Sequence, residues 1–373
     1  MKAQSLEAYN TPYALRSVPV PTLNSSSQHS VLIKVDAASY CHTDAVLAAG
    51  QLPPFPPSFP HIGCHEFAGT VISTSPGSSL RAGDRIGVPG RALNACGTCF
   101  ECAAGPTADD PDADEPGYSV SCLHAGNNGI SAPGGFAEYA VVDERQVAPL
   151  PEGMGAVDAA VLMCAGVTIY AALKRCRLAP GQRVGILGCG GGLGHLGLQF
   201  AVAMGLRVLG VDNADGPLQL AREVVQGRER ARIVDARIED AADVVTQVGQ
   251  EDSKLEKGEK GLDAVIILPE SQKAFDYGMA LLKNHGRCVV VSFPEKGFHV
   301  SAWDLVFRDI SVIGSLVGSN KTLREMLQFS AKYGVRAHIR TFPLSKLNEL
   351  VNEYHKGQGG KLVIDMSLQD EDC

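Results

Sequence analysis

The chain has 373 residues, a net charge of −8 and an isoelectric point near 5.7, with 45% hydrophobic and 20% charged residues. Such a length suits two or three domains with sizeable cores. An acidic balance without a long basic stripe excludes nucleic acid as the main partner. Met1–Asn10 has no basic segment followed by an apolar run, and no uninterrupted apolar stretch reaches bilayer length, so neither a signal peptide nor a membrane span is expected. Cys373, as the last residue, cannot open a prenylation box. The expected setting is the cytoplasm. Eleven cysteines in a reducing compartment point to metal binding rather than to a disulfide framework.

In chain order, residues 1–165 are rich in Gly, Pro and short β-type runs such as Val31–Val35, Gly69–Ile72 and Ala137–Val142, and read as an irregular, mostly β domain. Leu52–Pro60 holds five prolines and is predicted to be an extended loop. From about Gly181 strand-like runs alternate with helical patterns. Strands are expected at Arg183–Leu187, Arg207–Val211, Ala231–Val234, Asp263–Leu268, Arg287–Val291 and Ile310–Val317. Helices are expected between them at Leu193–Met204, Pro217–Gln226, Ile238–Val248 and Ser271–Leu282. Six buried strands with helical crossovers imply a doubly wound parallel sheet, an α/β architecture. After Val317, a helix over Thr322–Lys332 and short strands near His338–Phe342 and Lys361–Asp365 should return to the first domain. Two hydrophilic inserts, Thr107–Tyr118 with five acids and Gln250–Gly261 with mixed charge, read as solvated surface loops. No internal repeat is evident.

Cys96, Cys99 and Cys102 form a C-x2-C-x2-C run whose thiolates can converge on one tetrahedral ion. A closed four-cysteine structural zinc site would need a fourth sulfur, and Cys122 is the nearest downstream; surface thiols or an iron–sulfur motif are the alternatives. A second set is dispersed: Cys41 in Cys41-His42-Thr43-Asp44, His65 in Gly63-Cys64-His65-Glu66-Phe67-Ala68-Gly69, and Cys164 in Leu162-Met163-Cys164-Ala165-Gly166. Spacing alone does not join these three, because a lone buried Cys is usually a small hydrophobe and a lone His a hydrogen-bonded core residue.

After the strand at Arg183–Leu187 comes Gly188-Cys189-Gly190-Gly191-Gly192-Leu193-Gly194 and then a helix. Glycines let such a turn tighten so that backbone amides at a helix N-terminus approach a pyrophosphate. Leu193 breaks the literal G-x-G-x-x-G register, and Gly188, Gly191 and Gly194 give G-x-x-G-x-x-G instead. Asp212 stands at the end of the next strand, 18 residues beyond Gly194. A carboxylate there bonds the adenosine ribose 2′-hydroxyl and repels a 2′-phosphate, favouring NAD(H) over NADP(H).

Cys-His-Thr-Asp, Gly-x-His-Glu-x-x-Gly, the cysteine triplet and Cys-Ala-Gly before a Gly-rich βαβ unit occur in that order over essentially the whole chain. This resembles the zinc-dependent medium-chain alcohol dehydrogenases. The likeness is nearest to the yeast-type and bacterial tetrameric members, in Cys164-Ala165-Gly166-Val167-Thr168-Ile169-Tyr170 and Ala203-Met204-Gly205-Leu206-Arg207-Val208-Leu209-Gly210-Val211-Asp212. The resemblance implies a GroES-like, mostly β catalytic domain over 1–165, completed by a C-terminal return at 318–373, and a Rossmann cofactor domain over 166–317. It implies two zinc ions per chain, Cys41, His65 and Cys164 holding a catalytic ion with an open fourth position. It gives Thr43 the substrate proton, Asp44 the orientation of His65, and Glu66 a place behind the ion. It sets His42 and a C-terminal basic residue toward the pyrophosphate; Lys361 stands where yeast-type members have Arg. Thr168, Val291, Ser315 and Val317 match positions lining the nicotinamide and its ribose. The small-molecule partner is an alcohol, aldehyde or ketone. Pairing through the sheet edge at Ile310–Val317 would give a homodimer or homotetramer.

The chain departs from that family in places. Val46 replaces a histidine that finishes the proton relay in many members. The tryptophans that narrow the yeast-type pocket are missing: the stretches read Gly50-Gln51-Leu52-Pro53 and Gly90-Arg91-Ala92-Leu93, and the single Trp303 lies in the cofactor domain, so a substrate larger than ethanol is expected. Arg91 is either a partner for an acidic substrate group or a surface arginine. Cys64 and Cys189 are expected to be buried packing residues. Two rival functions are a zinc-free NADPH-linked enoyl or quinone reductase and a non-redox or non-catalytic use of the scaffold.

Overall fold

Alternating apolar residues build the first part of the chain into strands, and continuous apolar runs build the second. The computed structural model describes residues 1–23, 28–108, 110–254 and 256–369; Cys373 lies outside them. The chain divides into one unit of Met1–Val167, Gly318–Lys356 and Lys361–Cys373, and a second of Thr168–Val317 and Gly357–Gly360.

In the first unit the chain runs through β1 (Lys2–Ser5), β2 (Ala14–Ser17), β3 (Ser30–Tyr40), α1 (His42–Ala48), β4 (Glu66–Thr74), β5 (Arg85–Pro89), the single turn α2 (Phe100–Ala103), β6 (Tyr139–Asp143), β7 (Ala148–Pro149) and α3 (Ala156–Val161). A π-helical turn, Leu162–Gly166, follows α3. The second unit then takes α4 (Val167–Arg175), β8 (Arg183–Leu187), α5 (Gly194–Ala203), β9 (Arg207–Asp212), α6 (Asp215–Val224), β10 (Ala231–Asp235), α7 (Ala241–Glu251), β11 (Leu262–Ile267), α8 (Gln272–Leu281), β12 (Leu282–Val290), α9 (Ala302–Val306) and β13 (Ser311–Gly314). The return to the first unit consists of α10 (Asn320–Tyr333), β14 (Ile339–Phe342), α11 (Leu347–His355) and β15 (Lys361–Asp365).

The first unit's main sheet has the order β14-β15-β3-β4-β5-β7, with β6 also paired to β3. Val31, Ile33 and Val35 alternate inward along β3 and pack with Phe67, Val71, Ile86, Val88 and Phe136. Each phenylalanine so buried contributes on the order of 2–3 kcal/mol. β15 runs antiparallel to β3 with Leu362 opposite Tyr40, so the last strand lies beside the strand that leads into α1.

The second unit's sheet is parallel throughout, with the order β10-β9-β8-β11-β12-β13. In strand order this is 3-2-1-4-5-6, the dinucleotide-fold arrangement, which reverses direction between β8 and β11 and opens a crevice at their carboxyl ends. β12 starts at Leu282, ahead of the expected Arg287, because buried Leu282 pairs with Leu262 before the register shifts.

Ala156–Arg175 forms one 20-residue helical stretch whose most apolar window is 78% buried within the protein, the apolarity of a core helix. Two sequence expectations need correction. The acidic insert is not simply solvated. Asp114 accepts from Asn320 N through Oδ2 and from Lys321 N through Oδ1, both at 3.0 Å, and Ser319 Oγ donates to Asp112 O. The first-turn amides of α10 lack intrahelical acceptors, and a carboxylate satisfies them. The second insert likewise clasps the sheet: Glu251 and Asp252 pair with Arg183, and Arg207 joins the same two acids.

Candidate metal and dinucleotide sites

Cys41, His65 and Cys164 reach one place from three elements. Cys41 is the N-cap of α1, directly after β3. His65 immediately precedes β4, and Cys164 lies in the middle of the π-helical turn. Such turns insert a residue into a helix and recur at functional sites. The three ligand atoms lie within 4.8 Å of one another. Gly90, at the end of β5, packs so closely on His65 that a Cβ there would overlap the histidine's own Cβ.

One carboxylate organises this cluster. Asp44 Oδ2 accepts from Cys41 N at 2.9 Å, and Oδ1 accepts from Cys64 N at 3.0 Å. The same Oδ1 lies 3.6 Å from His65 Nδ1, and Asp44 is almost fully buried. A single side chain therefore caps α1, ties down the segment before His65 and faces the His65 ring. A hydrogen bond from Cys164, with His65 alongside, holds the Cys41 thiol well below its ordinary pKa against the opposing effect of burial. Thr43 Oγ1 lies 3.9 Å from Cys41 Sγ. Two sulfurs and one imidazole nitrogen at such separations suit a tetrahedral zinc with one position left open.

Behind the cluster, Glu66 is fully buried and pairs with Lys361, whose ammonium also donates to Tyr40 O at 2.7 Å. Glu66 Oε2 accepts from Ala165 N, beside Cys164, at 3.3 Å. Burial pushes the Glu66 carboxyl up to about 8, with the Lys361 ammonium pulling the other way. Lys361, expected on the resemblance to face a pyrophosphate, is buried, and two of its contacts are Glu66 and Tyr40 O. The buried carboxylate needs a counter-charge, and β15 places Lys361 one residue before Leu362, the partner of Tyr40 on β3. His42 stays exposed, and its Nδ1 lies 2.9 Å from Tyr354 Oη.

Cys96, Cys99, Cys102 and Cys122 form the second cluster, again with ligand atoms within 4.8 Å. Cys122 Sγ is 3.8 Å from Cys99 Sγ and 3.7 Å from Cys96 Sγ. A tetrahedron with zinc–sulfur bonds of about 2.3 Å has edges of about 3.8 Å, so these sulfurs already stand at ligand spacing. Backbone hydrogen bonds from Thr98 and Cys99 lower the Cys96 thiol to about 6. Arg145 fastens the lobe: its Nη2 donates to Ala95 O at 2.9 Å and to buried Asp143 at 2.6 Å, and Asp143 also accepts from Asn94 N at 3.1 Å. Arg91 joins the same lobe, donating from Nε to Val120 O at 2.8 Å; partial burial lowers its pKa.

In the second unit, the glycine turn after β8 is drawn tight against its neighbours. Gly188 has φ +77°, and its N donates to Val211 O at 2.8 Å. A Cβ on Gly194 would overlap Gly188 O, and one on Gly190 would overlap Pro217 O. Gly191, Gly192 and Leu193 fill the turn up to α5, with Leu193 as the helix N-cap. Asp212 ends β9; its carboxylate accepts from Gly190 N at 3.0 Å and from Asn213 N at 2.9 Å. Thr168 Oγ1 and Ser315 Oγ are both buried without a hydrogen-bond partner. Buried orphan hydroxyls are uncommon and suit a polar group brought by a ligand. Val291 follows β12 directly, and Val317 has φ +48°, a left-handed conformation that is rare for a β-branched residue. A turn that accepts no side chain at two points, an acid at the next strand end and unpaired hydroxyls together fit a dinucleotide.

The sequence reading passed over Tyr354, Arg145 and the role of Gly190 in packing against Pro217. Only the last had a signal, since Gly190 stands within the glycine run.

Comparison with known proteins agrees with this arrangement. Residues 27–152 match the alcohol dehydrogenase GroES-like domain, and residues 192–332 match the zinc-binding dehydrogenase domain. An alcohol dehydrogenase of Geobacillus stearothermophilus is 34% identical over 367 residues, 98% of this chain and 99% of the relative. One from a Moraxella species is 32% identical over 371 residues, 99% of this chain and all of the relative. The crystal structure of the alcohol dehydrogenase from Aeropyrum pernix superposes with a TM-score of 0.81 at 28% identity, covering 98% of this chain and 100% of that one.

Proposed function

This chain belongs to the zinc-type medium-chain alcohol dehydrogenases, and we propose that it holds two zinc ions and transfers a hydride between an alcohol carbon and NAD(H). The observation that carries the proposal is the convergence of Cys41, His65 and Cys164, remote in sequence, on one point. When bound, zinc supplies a Lewis acid that lowers the pKa of the substrate hydroxyl, and NAD supplies the hydride acceptor.

The chain's own residues do the rest. Cys41, His65 and Cys164 hold the catalytic ion, and Cys96, Cys99, Cys102 and Cys122 hold the structural one. Thr43 Oγ1 would accept a hydrogen bond from the substrate hydroxyl and take up its proton, and Val46 stands where many members have the histidine that finishes the relay. Asp44 fixes the His65 ring, and Glu66, held by Lys361, balances charge behind the ion. In the cofactor site, Gly188, Gly191, Gly192, Leu193 and Gly194 cradle the diphosphate. Asp212 bonds the ribose 2′-hydroxyl, with Asn213, Ala214 and Asp215 rather than arginine after it, which favours NAD. Thr168 and Ser315 offer hydroxyls, and Val291 and Val317 apolar surface, to the nicotinamide end. Lys361 holds Glu66.

The stretches Gly50-Gln51-Leu52-Pro53 and Gly90-Arg91-Ala92-Leu93, which correspond to those where yeast-type members narrow the pocket with tryptophans, carry no Trp, which supports a substrate larger than ethanol. β13 is the outer strand of its sheet, and Trp303, Val306, Phe307 and Leu316 are exposed in the same unit, which supports pairing of two chains at that edge. The test is metal content together with turnover. Two zinc ions per chain, NAD preferred to NADP and a higher kcat/KM for an aromatic alcohol than for ethanol are expected. A metal-free chain with undiminished turnover, or a preference for NADP, overturns the reading.

A further inference from the structure

Two stretches of chain press on His65. The first is the end of β5, where Pro89 stands opposite Glu66 on β4. A Cβ on the next residue, Gly90, would come within 2.5 Å of the His65 Cβ. The second is the loop 127–135. A Cβ on Gly129 would fall 2.2 Å from Cys64 C and 2.8 Å from His65 N, and Gly135 N donates to Cys64 O at 3.0 Å. Contacts this close leave no slack, so the place of His65 depends on where these two stretches stand.

One buried side chain joins them. Gln146, just after β6, is fully buried. Its Nε2 donates to Pro89 O and, at 3.0 Å, to Asn128 Oδ1. Its Oε1 accepts from Asp143 N at 3.3 Å. Asn128 is equally buried, and its Nδ2 donates to Pro133 O at 3.0 Å and to Val141 O at 3.2 Å. The loop is thus held at Asn128, beside Gly129, and again at Pro133, while β5 is held at Pro89, beside Gly90. An amide suits this place because it donates twice and accepts once without a charge. A carboxylate would only accept, and its burial without a counter-charge is costly. An apolar side chain of the same length would fill the space but leave the separation of the two stretches unset.

We propose that Gln146, with Asn128, is a positioning residue for His65: it fixes the spacing of the two stretches that hold the histidine in its direction toward the catalytic ion. This rests on the reading above that Cys41, His65 and Cys164 hold that ion. A ligand held off its bonding direction binds its metal less tightly, which is why the groups behind a ligand govern affinity.

The experiment uses the full chain purified with its zinc. Release to a chelator is followed in time, and the phase absent from Cys164→Ser belongs to the cluster with His65. The ion in that cluster is then exchanged for Co2+, whose visible bands report the geometry of its ligands. Gln146→Met keeps the length and packing of the side chain but removes the amide. It should weaken zinc at the His65 cluster by about tenfold, shift the Co2+ bands and leave the four-cysteine ion in place. Asn128→Ala removes the bridge from its other end and should give the same pattern, which keeps the test open if Gln146→Met does not fold. Leu350→Ala hollows the core of the same unit; it should lower Tm without moving the Co2+ bands. Parent-like release and bands in Gln146→Met, or in Asn128→Ala, overturn the proposal. So does equal weakening of both ions, or a Leu350→Ala protein with the same band shift, since any loss of stability would then suffice. If the parent chain holds no ion at Cys41, His65 and Cys164, it is the zinc reading itself that fails.

Discussion

Cys96, Cys99, Cys102 and Cys122 come from one stretch between positions 96 and 122, whereas Cys41, His65 and Cys164 are drawn together from a helix cap, a strand start and a π-helical turn. The first cluster has a small core of its own, in which Ala92, Ala95, Tyr118 and two of the cysteines themselves are the buried members. With so little apolar surface, a bound ion would be a major part of what orders it. The second cluster is framed by the main sheet, and Asp44 ties its segments through hydrogen bonds that need no metal. A candidate metal site can therefore be something a fold would depend on or something a fold has already prepared, and one chain offers both.

That contrast can be broken most forcefully at Cys164. Cys164→Ser should lower turnover by about a thousandfold or more, since Lewis acidity supplies several kcal/mol to such reactions. Zinc by mass spectrometry should drop from two ions to one, and the melting temperature should barely move. A large loss of stability would show that the framed cluster also depends on its ion. Cys99→Ser should do the reverse. Losing an ion present at a hundred times its Kd removes about 2.7 kcal/mol, or about 5–10 °C in Tm, and a calorimetric trace that matches the parent's would end the claim that the local cluster relies on metal. Asp44→Asn keeps the shape but removes the charge behind His65. Competition with a chelator should then show one site weakened by about 10–100-fold and the other unchanged; equal weakening of both would mean that Asp44 acts through the fold. The smallest effect is expected from Asp114→Ala, which takes the acceptor from two first-turn amides of α10 while the N-cap Ser319 stays; it should cost about 1 kcal/mol, read as a Tm shift of about 2–4 °C. No shift would mean that the lobe and the helix are energetically separate.

Legibility followed the same division. Arg183–Leu187 and Lys361–Asp365 coincide with the strands that form, because a buried strand writes its burial into a continuous apolar run. The four-cysteine cluster could be read from spacing for a similar reason: its geometry is local. Cys41, His65 and Cys164 became visible as a set only through family resemblance, since nothing in their spacing records the pairing of β3 with β4. The pairing of Lys361 with Glu66 left no trace, because the two lie 295 residues apart. Composition marks the acids at 107–118 as solvated and cannot say that one of them, Asp114, meets the amides of a distant helix. Tyr354 gave no signal at all, being one aromatic residue on a helix with an ordinary apolar face.

The clasp between Asp114 and Asn320 spans 206 residues of chain. At a ribosomal pace of about 5–20 residues per second, the lobe emerges on the order of 10–40 s before the helix it will cap. During that interval its four thiols have only one another and whatever metal the cell supplies. On the proposed reading, the lobe's first encounter with a zinc ion belongs to synthesis, and a cell short of zinc would meet its difficulty with this chain before the last helix has been made.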